Sequence, residues 1–173
     1  MTDKNIQRER VKLWRKNIQD GTDCLEYHRD IKTWVKERKI TTLLDYGSGK
    51  GLQYEKGFHN LIGVRREDID LYDIGSTTNG KLPLVIYEGI IAVNVFNYLP
   101  DDFIEEDLIE LFRRGGDIFA VIPLNSQDPL SLQNRSQQWW DEVFESFDNH
   151  STVIYYNGRK RTKKVFHGST RIG

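Results

Sequence analysis

Three alternate glycines follow a short β-prone run and form the most chemically informative segment of the sequence. The pattern reads Asp45-Tyr46-Gly47-Ser48-Gly49-Lys50-Gly51. Glycines at this spacing let the backbone turn sharply from a strand into a helix and approach a ligand closely. A second carboxylate, Asp73, follows about 20 positions later, the distance at which an acidic residue reaches ribose hydroxyls. The pattern therefore predicts a nucleoside-type site at the carboxyl end of a first strand.

The glycine spacing separates two classes of cofactor. The dinucleotide pattern G-x-G-x-x-G would need a glycine where Leu52 stands, and the P-loop pattern does not fit either. The carboxylate of Asp45 would repel a pyrophosphate but suits a cationic group. S-adenosylmethionine (SAM) carries an ammonium and a sulfonium and no phosphate. We therefore expect SAM as the cofactor and S-adenosylhomocysteine as its product.

The residues expected to hold SAM lie in this turn and at the ends of two further strands. They are Asp45, Tyr46, Gly47, Ser48, Gly49, Gly51, Tyr54, Asp73, Ile74 and Asn94. Asn94 and Tyr98 are the candidates for catalytic residues at the reacting methyl group, because binding residues gather where strands of open α/β sheets end. Structural roles remain open beside these: a tight turn for the glycines, a loop cap for Asn94, and core packing for Tyr46, Tyr54 and Tyr98.

Alternating strands and helices must position these residues. Helices are predicted at 5–19, 24–38, 52–59, 102–114 and 135–147, and strands at 41–46, 69–72, 89–95 and 118–122. A C-terminal hairpin, with strands at 153–156 and 164–167, is predicted to turn at Asn157-Gly158. This order predicts an α/β, Rossmann-like fold with a mainly parallel central sheet, helices on both faces and an antiparallel C-terminal hairpin. We expect one domain, 1–173, with N-terminal helices in 1–39 and the core in 40–173.

Charge divides the chain into three parts that the net charge of -1 conceals. The first 40 residues carry +4, residues 41–148 carry -11, and residues 149–173 carry +6. The acidic centre suits a cationic donor. If the two basic ends meet in space, they favour an anionic acceptor. The run Arg159-Lys160-Arg161 by itself is expected to be a solvated hairpin tip.

Composition restricts the cellular setting and other site chemistries. Cys24 is the only cysteine, which excludes a disulfide framework and indicates a reducing cytoplasm. No apolar leader or membrane-length stretch appears, so we expect no membrane partner. The four histidines show no metal-ligand spacing, so the sequence predicts no metal site. Trp139 and Trp140, at helical core spacing, are expected in the core.

With these motifs the sequence resembles the class I SAM-dependent methyltransferases, and most of all their small phage-type members. Four motifs in order carry the resemblance: LDYGSGKGLQY at 44–54, the pair Tyr72-Asp73, YEGIIAVNVFNYLP at 87–100, and the pair Trp139-Trp140. They span about residues 20–167. The resemblance implies an enzyme that transfers a methyl group from SAM to an acceptor, encoded by a virus and acting in the host cytoplasm.

The sequence departs from this family where the acceptor would meet the methyl group. The family has an aspartate at the position of Asn94 and a glutamate-histidine pair at Asn97-Tyr98. The lone cysteine precedes the first motif, which disfavours cytosine C5 methylation. The stretch Asn94-Val95-Phe96-Asn97 has no prolines, which disfavours adenine or glutamine N-methylation. We expect a small-molecule or peptide-like acceptor, with nucleic acid less favoured. The alternatives are a non-catalytic SAM-binding or interaction module on the same fold, or an enzyme that degrades SAM.

Overall fold

The chain enters the fold through a helical N-terminal region. The computed structural model describes residues 12, 16, 18–99, 101–128, 131, 135–147 and 149–168, with the side chains of 101–103 outside that description. The predicted helix at 5–19 lies almost wholly outside the described residues. A 3-10 turn, Asp23–Tyr27, continues into helix α1, His28–Arg38, and together they confirm the predicted second helix.

One six-stranded sheet organises the rest, in the order β2-β1-β3-β4-β5-β6. The strands are β1 Leu43–Tyr46, β2 Ile69–Tyr72, β3 Tyr87–Val93, β4 Gly115–Pro123, β5 His150–Asn157 and β6 Lys160–Phe166. The first five are parallel, and β6 pairs antiparallel with β5. The predicted α/β class, the mainly parallel sheet and the C-terminal hairpin are confirmed. The strand order is compatible with a Rossmann-like fold.

Helices cover both faces of the sheet. On one face lie α1 and two short helices, α2 Leu52–Glu55 and α3 Phe58–Ile62. On the other lie α4 Asp101–Arg114 and α5 Gln137–Glu145. Neighbouring residues of one strand enter opposite cores, as Leu43 and Leu44 do, because strand side chains alternate between faces. Both layers are therefore held by burial of apolar side chains against a sheet that is covered on both sides.

Two glycines change the predicted element boundaries. The predicted helix at 52–59 is two helices, because Gly57 has a φ of 78° and stops the first of them. The helix predicted at 102–114 ends at Arg114 as expected, and β4 begins at once at Gly115, three residues before the predicted strand at 118–122. A Cβ at Gly115 would lie 2.6 Å from the side chain of Ile90, so a larger residue here would push β4 away from β3.

The C-terminal hairpin turns one residue later than predicted. Asn157 still pairs with Lys160, so the two-residue turn is Gly158-Arg159 rather than Asn157-Gly158. Gly158 has a φ of 59°, the positive value that a tight hairpin turn requires at its first position. Arg159 and Lys160 are exposed, as predicted for a solvated tip.

The basic strand β6 packs beside the N-terminal helical region. Arg161 forms an ion pair with Glu26, and its guanidinium lies 4.9 Å from the centre of the Tyr27 ring. Lys163 pairs with Asp30 at 3.4 Å. The two basic ends of the chain therefore meet, as the charge pattern allowed. The basic side chains at the contact face carboxylates, however, so they do not form the anion-attracting surface considered above.

The aromatic pair near the C-terminus lies against the core. Trp140 is buried with Phe144 and Phe96, and Trp139 packs on it edge-on with ring centroids 4.8 Å apart. This confirms the expected core role of the pair. In the part of the chain that the structure describes, no helix is long and apolar enough to cross a membrane.

Candidate functional site

The candidate site lies where β1 and β3 end side by side. The chain runs from β1 to β2 on one side and then crosses back to β3 on the other, so strand order reverses between β1 and β3. In open α/β sheets such a reversal leaves a crevice at the carboxyl ends of the strands, where ligands bind. The glycine loop (residues 47–51) follows β1 here, and Asn94 follows β3. The structure thus brings together the two principal segments of the predicted site.

Close packing against the protein itself explains two of the loop glycines. Gly47 and Gly49 have φ values of 80° and 57°. A Cβ on Gly47 would lie 2.3 Å from the Val95 side chain, and one on Gly49 would lie 2.5 Å from the carbonyl oxygen of Gln19. The N-terminal segment (residues 18–22) therefore fills the space beside Gly49 that the glycine pattern could have reserved for a ligand.

Each backbone amide from residue 47 to residue 53 has a partner within the protein. Those of residues 47 and 48 donate to the carbonyl of Tyr72, that of 49 to Asp73, and that of 51 to the carbonyl of Ser48. Those of 50, 52 and 53 donate, in that order, to the carbonyls of 19, 20 and 21, at 3.0 Å each. A phosphate needs free amides at a helix start. The loop, paired in this way, suits a ligand without phosphate.

Asp45 lies beneath the loop, at the end of β1, rather than in an open cleft. Its side chain is 2% exposed and accepts hydrogen bonds from the amide of Gln53 and from the hydroxyl of Tyr54, the latter at 2.8 Å. Burial outweighs these donors and raises the pKa of Asp45 to about 6. The carboxyl group is therefore close to its titration range at neutral pH.

Asp73, at the end of β2, faces the glycine loop. One carboxylate oxygen accepts the amide of Gly49 at 2.9 Å, and the other accepts the amide of Gly75 at 2.8 Å. Each oxygen has two acceptor sites, so one remains on each for a ligand hydroxyl. The next residue, Ile74, is 39% exposed and presents apolar surface on the same loop.

Asn94 holds a conformation that non-glycine residues seldom adopt. Its φ is 57°, in the left-handed region that asparagine tolerates better than most residues. Its side-chain amide donates to Asp23 at 2.7 Å, and its side-chain oxygen accepts the hydroxyl of Tyr156 at 3.2 Å. Three elements therefore meet at this side chain: the first 3-10 turn, the end of β3 and the end of β5. Strain of this kind is concentrated at functional sites.

Tyr98 follows Asn94 in a short 3-10 turn, Phe96–Tyr98. Its hydroxyl donates to Asp128 at 2.6 Å. Burial, and then the hydrogen bond and charge of Asp128, raise the pKa of Tyr98 above its ordinary value. The phenol consequently stays protonated at neutral pH and cannot act as a base. Its single O–H is held by Asp128, and its oxygen can still accept a hydrogen bond.

The two tyrosines beside the loop are core residues, on opposite faces of the sheet. Tyr46 stacks on Tyr72 with ring centroids 5.1 Å apart, and its hydroxyl donates to Asp107 at 3.3 Å. Tyr54 is buried on the α1 face with its hydroxyl on Asp45. Packing, which the sequence left open for both, is the role that the structure supports.

Two buried polar atoms near the loop lack a partner among the described residues. They are the hydroxyl of Ser48 and the side-chain oxygen of Gln53. A buried polar atom without a hydrogen bond costs free energy, and such atoms are commonly satisfied by a ligand or an ordered water. The loop and the first turn of α2 therefore retain unused hydrogen-bonding capacity next to Asp45.

Sequence reasoning missed the partners that fix the predicted residues. Asp23 and Tyr156 hold Asn94, Gln53 holds Asp45, and Asp128 holds Tyr98. Only Gln53 is close in sequence to its partner, and its place in the turn after the glycines was a usable signal. The remaining contacts join residues at least 30 positions apart in the sequence. Tyr98 and Asp128 are 30 positions apart, and Asn94 and Asp23 are 71 positions apart.

Comparisons with known proteins found no match among family models, curated proteins or solved structures. The described residues also contain no group of three or more His, Cys, Asp or Glu side chains that could hold a metal ion. The fold defines the class of protein: an α/β protein with a mainly parallel six-stranded sheet whose strand order reverses between β1 and β3.

Proposed function

We propose that the protein is a SAM-dependent methyltransferase that binds SAM between the ends of β1, β2 and β3. One observation carries the proposal. The glycine loop sits at the strand-order reversal with its amides already paired, and carboxylates stand at the ends of two neighbouring strands, Asp45 and Asp73. This combination disfavours phosphate and favours a cationic nucleoside.

The residues at the site fit SAM. Asp73 has acceptor capacity for the ribose hydroxyls, and the exposed apolar face of Ile74 suits an adenine ring. The charge of Asp45 favours the ammonium and sulfonium groups, and the unpaired Ser48 hydroxyl offers a further hydrogen bond. When bound, SAM supplies an activated methyl group for in-line displacement by a nucleophile of the acceptor.

The residues of the chain contribute to transfer by positioning. Asn94, fixed by Asp23 and Tyr156, and the protonated phenol of Tyr98 can orient an acceptor through hydrogen bonds. Neither takes a proton at neutral pH. With these two residues as the positioning groups, the acceptor that we favour is a group nucleophilic by itself, in a small molecule or a peptide-like chain.

Calorimetry with SAM and S-adenosylhomocysteine tests the binding step. Asp73→Ala is expected to weaken binding by at least about tenfold, or about 1.4 kcal/mol. Because Asp73 also holds two loop amides, Ile74→Ala is the cleaner second variant: it keeps those bonds, so it should weaken binding without changing urea unfolding. Glu67→Ala, an exposed carboxylate before β2, is the matched control. No binding of either nucleoside to the wild-type protein would refute the proposal.

A second candidate is a SAM-binding module without transfer. It is favoured by the pairing of Asn94 with Asp23 and of Tyr98 with Asp128, since both polar groups expected at the methyl group already have partners. Methyl-labelled SAM separates the possibilities. Label that moves into a component of a bacterial extract supports the methyltransferase, label that stays in SAM supports the binding module, and loss of SAM in buffer alone supports a degrading enzyme.

A further inference from the structure

Two histidines meet at the end of the C-terminal hairpin, far from the crevice residues described above. In the hairpin register Ser151 pairs with Phe166, so His150 and His167 face each other one position further along. Their side chains interact directly: Nδ1 of His167 lies 2.9 Å from Nε2 of His150. The ring planes are inclined at 77° with centroids 4.8 Å apart.

The separation of these nitrogens matches that of two ligands on one metal ion. Imidazole nitrogens bind first-row metals at about 2.0–2.1 Å, so two nitrogens at a right angle on one ion lie about 2.9 Å apart. Square-planar and tetragonal ions such as Cu²⁺ and Ni²⁺ impose that angle. In the metal-free pair a single proton lies between the nitrogens. When it moves to the other nitrogen of its own ring, both facing nitrogens have lone pairs without net loss of a proton.

The position of the rings permits this rearrangement. His167 is exposed and His150 is partly exposed, so both rings have room to rotate until their lone pairs meet at one ion. The strand β4 places Asp117 beside His150 in the parallel register, and Arg38 forms an ion pair with Asp117 at 3.0 Å. The charges of Asp117 and Arg38 offset each other, so a dication at the histidines meets little net repulsion.

We propose that His150 and His167 form a two-histidine site for a divalent transition-metal ion, with Cu²⁺ bound most tightly. The order of affinities follows the general preference of nitrogen ligands for Cu²⁺ over Ni²⁺ and Zn²⁺. Two protein nitrogens hold the ion, and water completes its coordination. The site is independent of the proposed SAM site, and it joins the last residue of the hairpin to the strand beside it.

Residue spacing along the chain does not indicate this site, for a physical reason. Metal motifs in sequences are read from ligands a few positions apart on one helix or loop. His150 and His167 are 17 positions apart, and only the antiparallel pairing of β5 and β6 brings them together. The earlier expectation of no metal site was drawn from spacing alone.

Titration of the full chain with CuCl₂, followed by calorimetry and by the visible absorption of Cu²⁺, tests the site. His150→Ala and His167→Ala are each expected to lower Cu²⁺ affinity at least about tenfold. The double variant is expected to lose binding at this site, and its effect need not equal the sum of the two single effects. His28→Ala is the control, since His28 lies at the start of α1 and bonds the carbonyl of Leu25. Mg²⁺, which prefers oxygen ligands, is expected not to bind here.

Paramagnetic broadening by Cu²⁺ places the ion within the chain. The amide signals of residues around 150 and 167 are expected to broaden first in the wild-type protein and not in the double variant. Both variants change side chains at the rim of the hairpin, so their melting temperatures without metal should stay close to that of the wild type. Unchanged Cu²⁺ affinity in the double variant, or broadening centred elsewhere, would overturn the proposal.

Discussion

Replacing the buried carboxyl of Asp45 with an amide is expected to stabilise the protein. The side chain is 2% exposed, and burial raises its pKa from 3.8 to about 6. At pH 8 the folded protein therefore holds an anion in an apolar interior. In Asp45→Asn the side-chain oxygen can still accept from Gln53 and Tyr54, so the two hydrogen bonds persist without the buried charge.

The pKa shift sets the size and the sign of the effect. Each pKa unit corresponds to about 1.4 kcal/mol, so the shift of Asp45 amounts to about 3 kcal/mol at full ionisation. Between about pH 4 and pH 6 the folded carboxyl binds more protons than the unfolded one. The free energy of unfolding consequently falls as the pH rises through that window and is fully reduced above it. Asp45→Asn lacks this contribution, so the two proteins should differ most at pH 8 and least below pH 4.

Urea unfolding, followed by tryptophan fluorescence at several pH values from about 4 to 8, measures the difference. Glu55→Gln, an exposed carboxylate on α2, the helix that carries Gln53 and Tyr54, is the control and should unfold like the wild type. Burial also raises the pKa of Asp107 to about 6. The contribution of Asp45 is therefore isolated only by the difference in free energy of unfolding between the wild type and Asp45→Asn. If Asp45→Asn is less stable than wild type at pH 8, the inference that burial dominates at Asp45 is wrong. The variant should also bind SAM more weakly, because the charge that destabilises the fold is the one proposed to favour the cation.

Substitutions at four further positions test local packing and pairing. Gly21→Ala should lower the free energy of unfolding by well over 3 kcal/mol, because its Cβ would lie 1.9 Å from a backbone oxygen of the glycine loop. Gly63→Ala, with nothing within 4 Å, should lower it by only about 1–2 kcal/mol through left-handed strain. Urea unfolding separates the two variants. Asn94→Ala should cost about 2–3 kcal/mol through two lost hydrogen bonds and the same strain, and Asn94→Gly should be the more stable variant in thermal melts. Arg161→Ala should cost about 1 kcal/mol, and the loss should shrink at raised salt, as expected of its exposed pair with Glu26.

Local pattern was sufficient to predict the strands and the place of the glycine loop. The apolar run from Gly89 to Val95 indicated a strand buried on both faces, and the structure has β3 from Tyr87 to Val93. It ends two residues early because Asn94 leaves the extended conformation with its φ of 57°. Signals of this kind depend on residues close in sequence, so they can be recognised from the sequence alone.

The contacts that define the crevice depend on residues far apart in sequence. Nothing near Asn94 indicates that Asp23 bonds it, and nothing in the glycine pattern indicates that Gln19 lies against Gly49. Tyr46 illustrates the same difficulty, since its side chain could face a ligand or the core depending only on which side of the sheet it enters. Such choices are made by the register of the sheet and the path of the preceding chain, not by local spacing.

The pairing of the N-terminal segment with the glycine loop makes that segment part of one cooperative opening unit. The amides of residues 50, 52 and 53 can exchange with solvent only when the carbonyls of residues 19, 20 and 21 move away. Their exchange should therefore be slow for a loop and a four-residue helix, and the three amides should report one common free energy of opening. Detachment of the segment would also leave these three amides without partners, so the fluctuation that exposes the loop would make it attractive to anions for as long as it lasts.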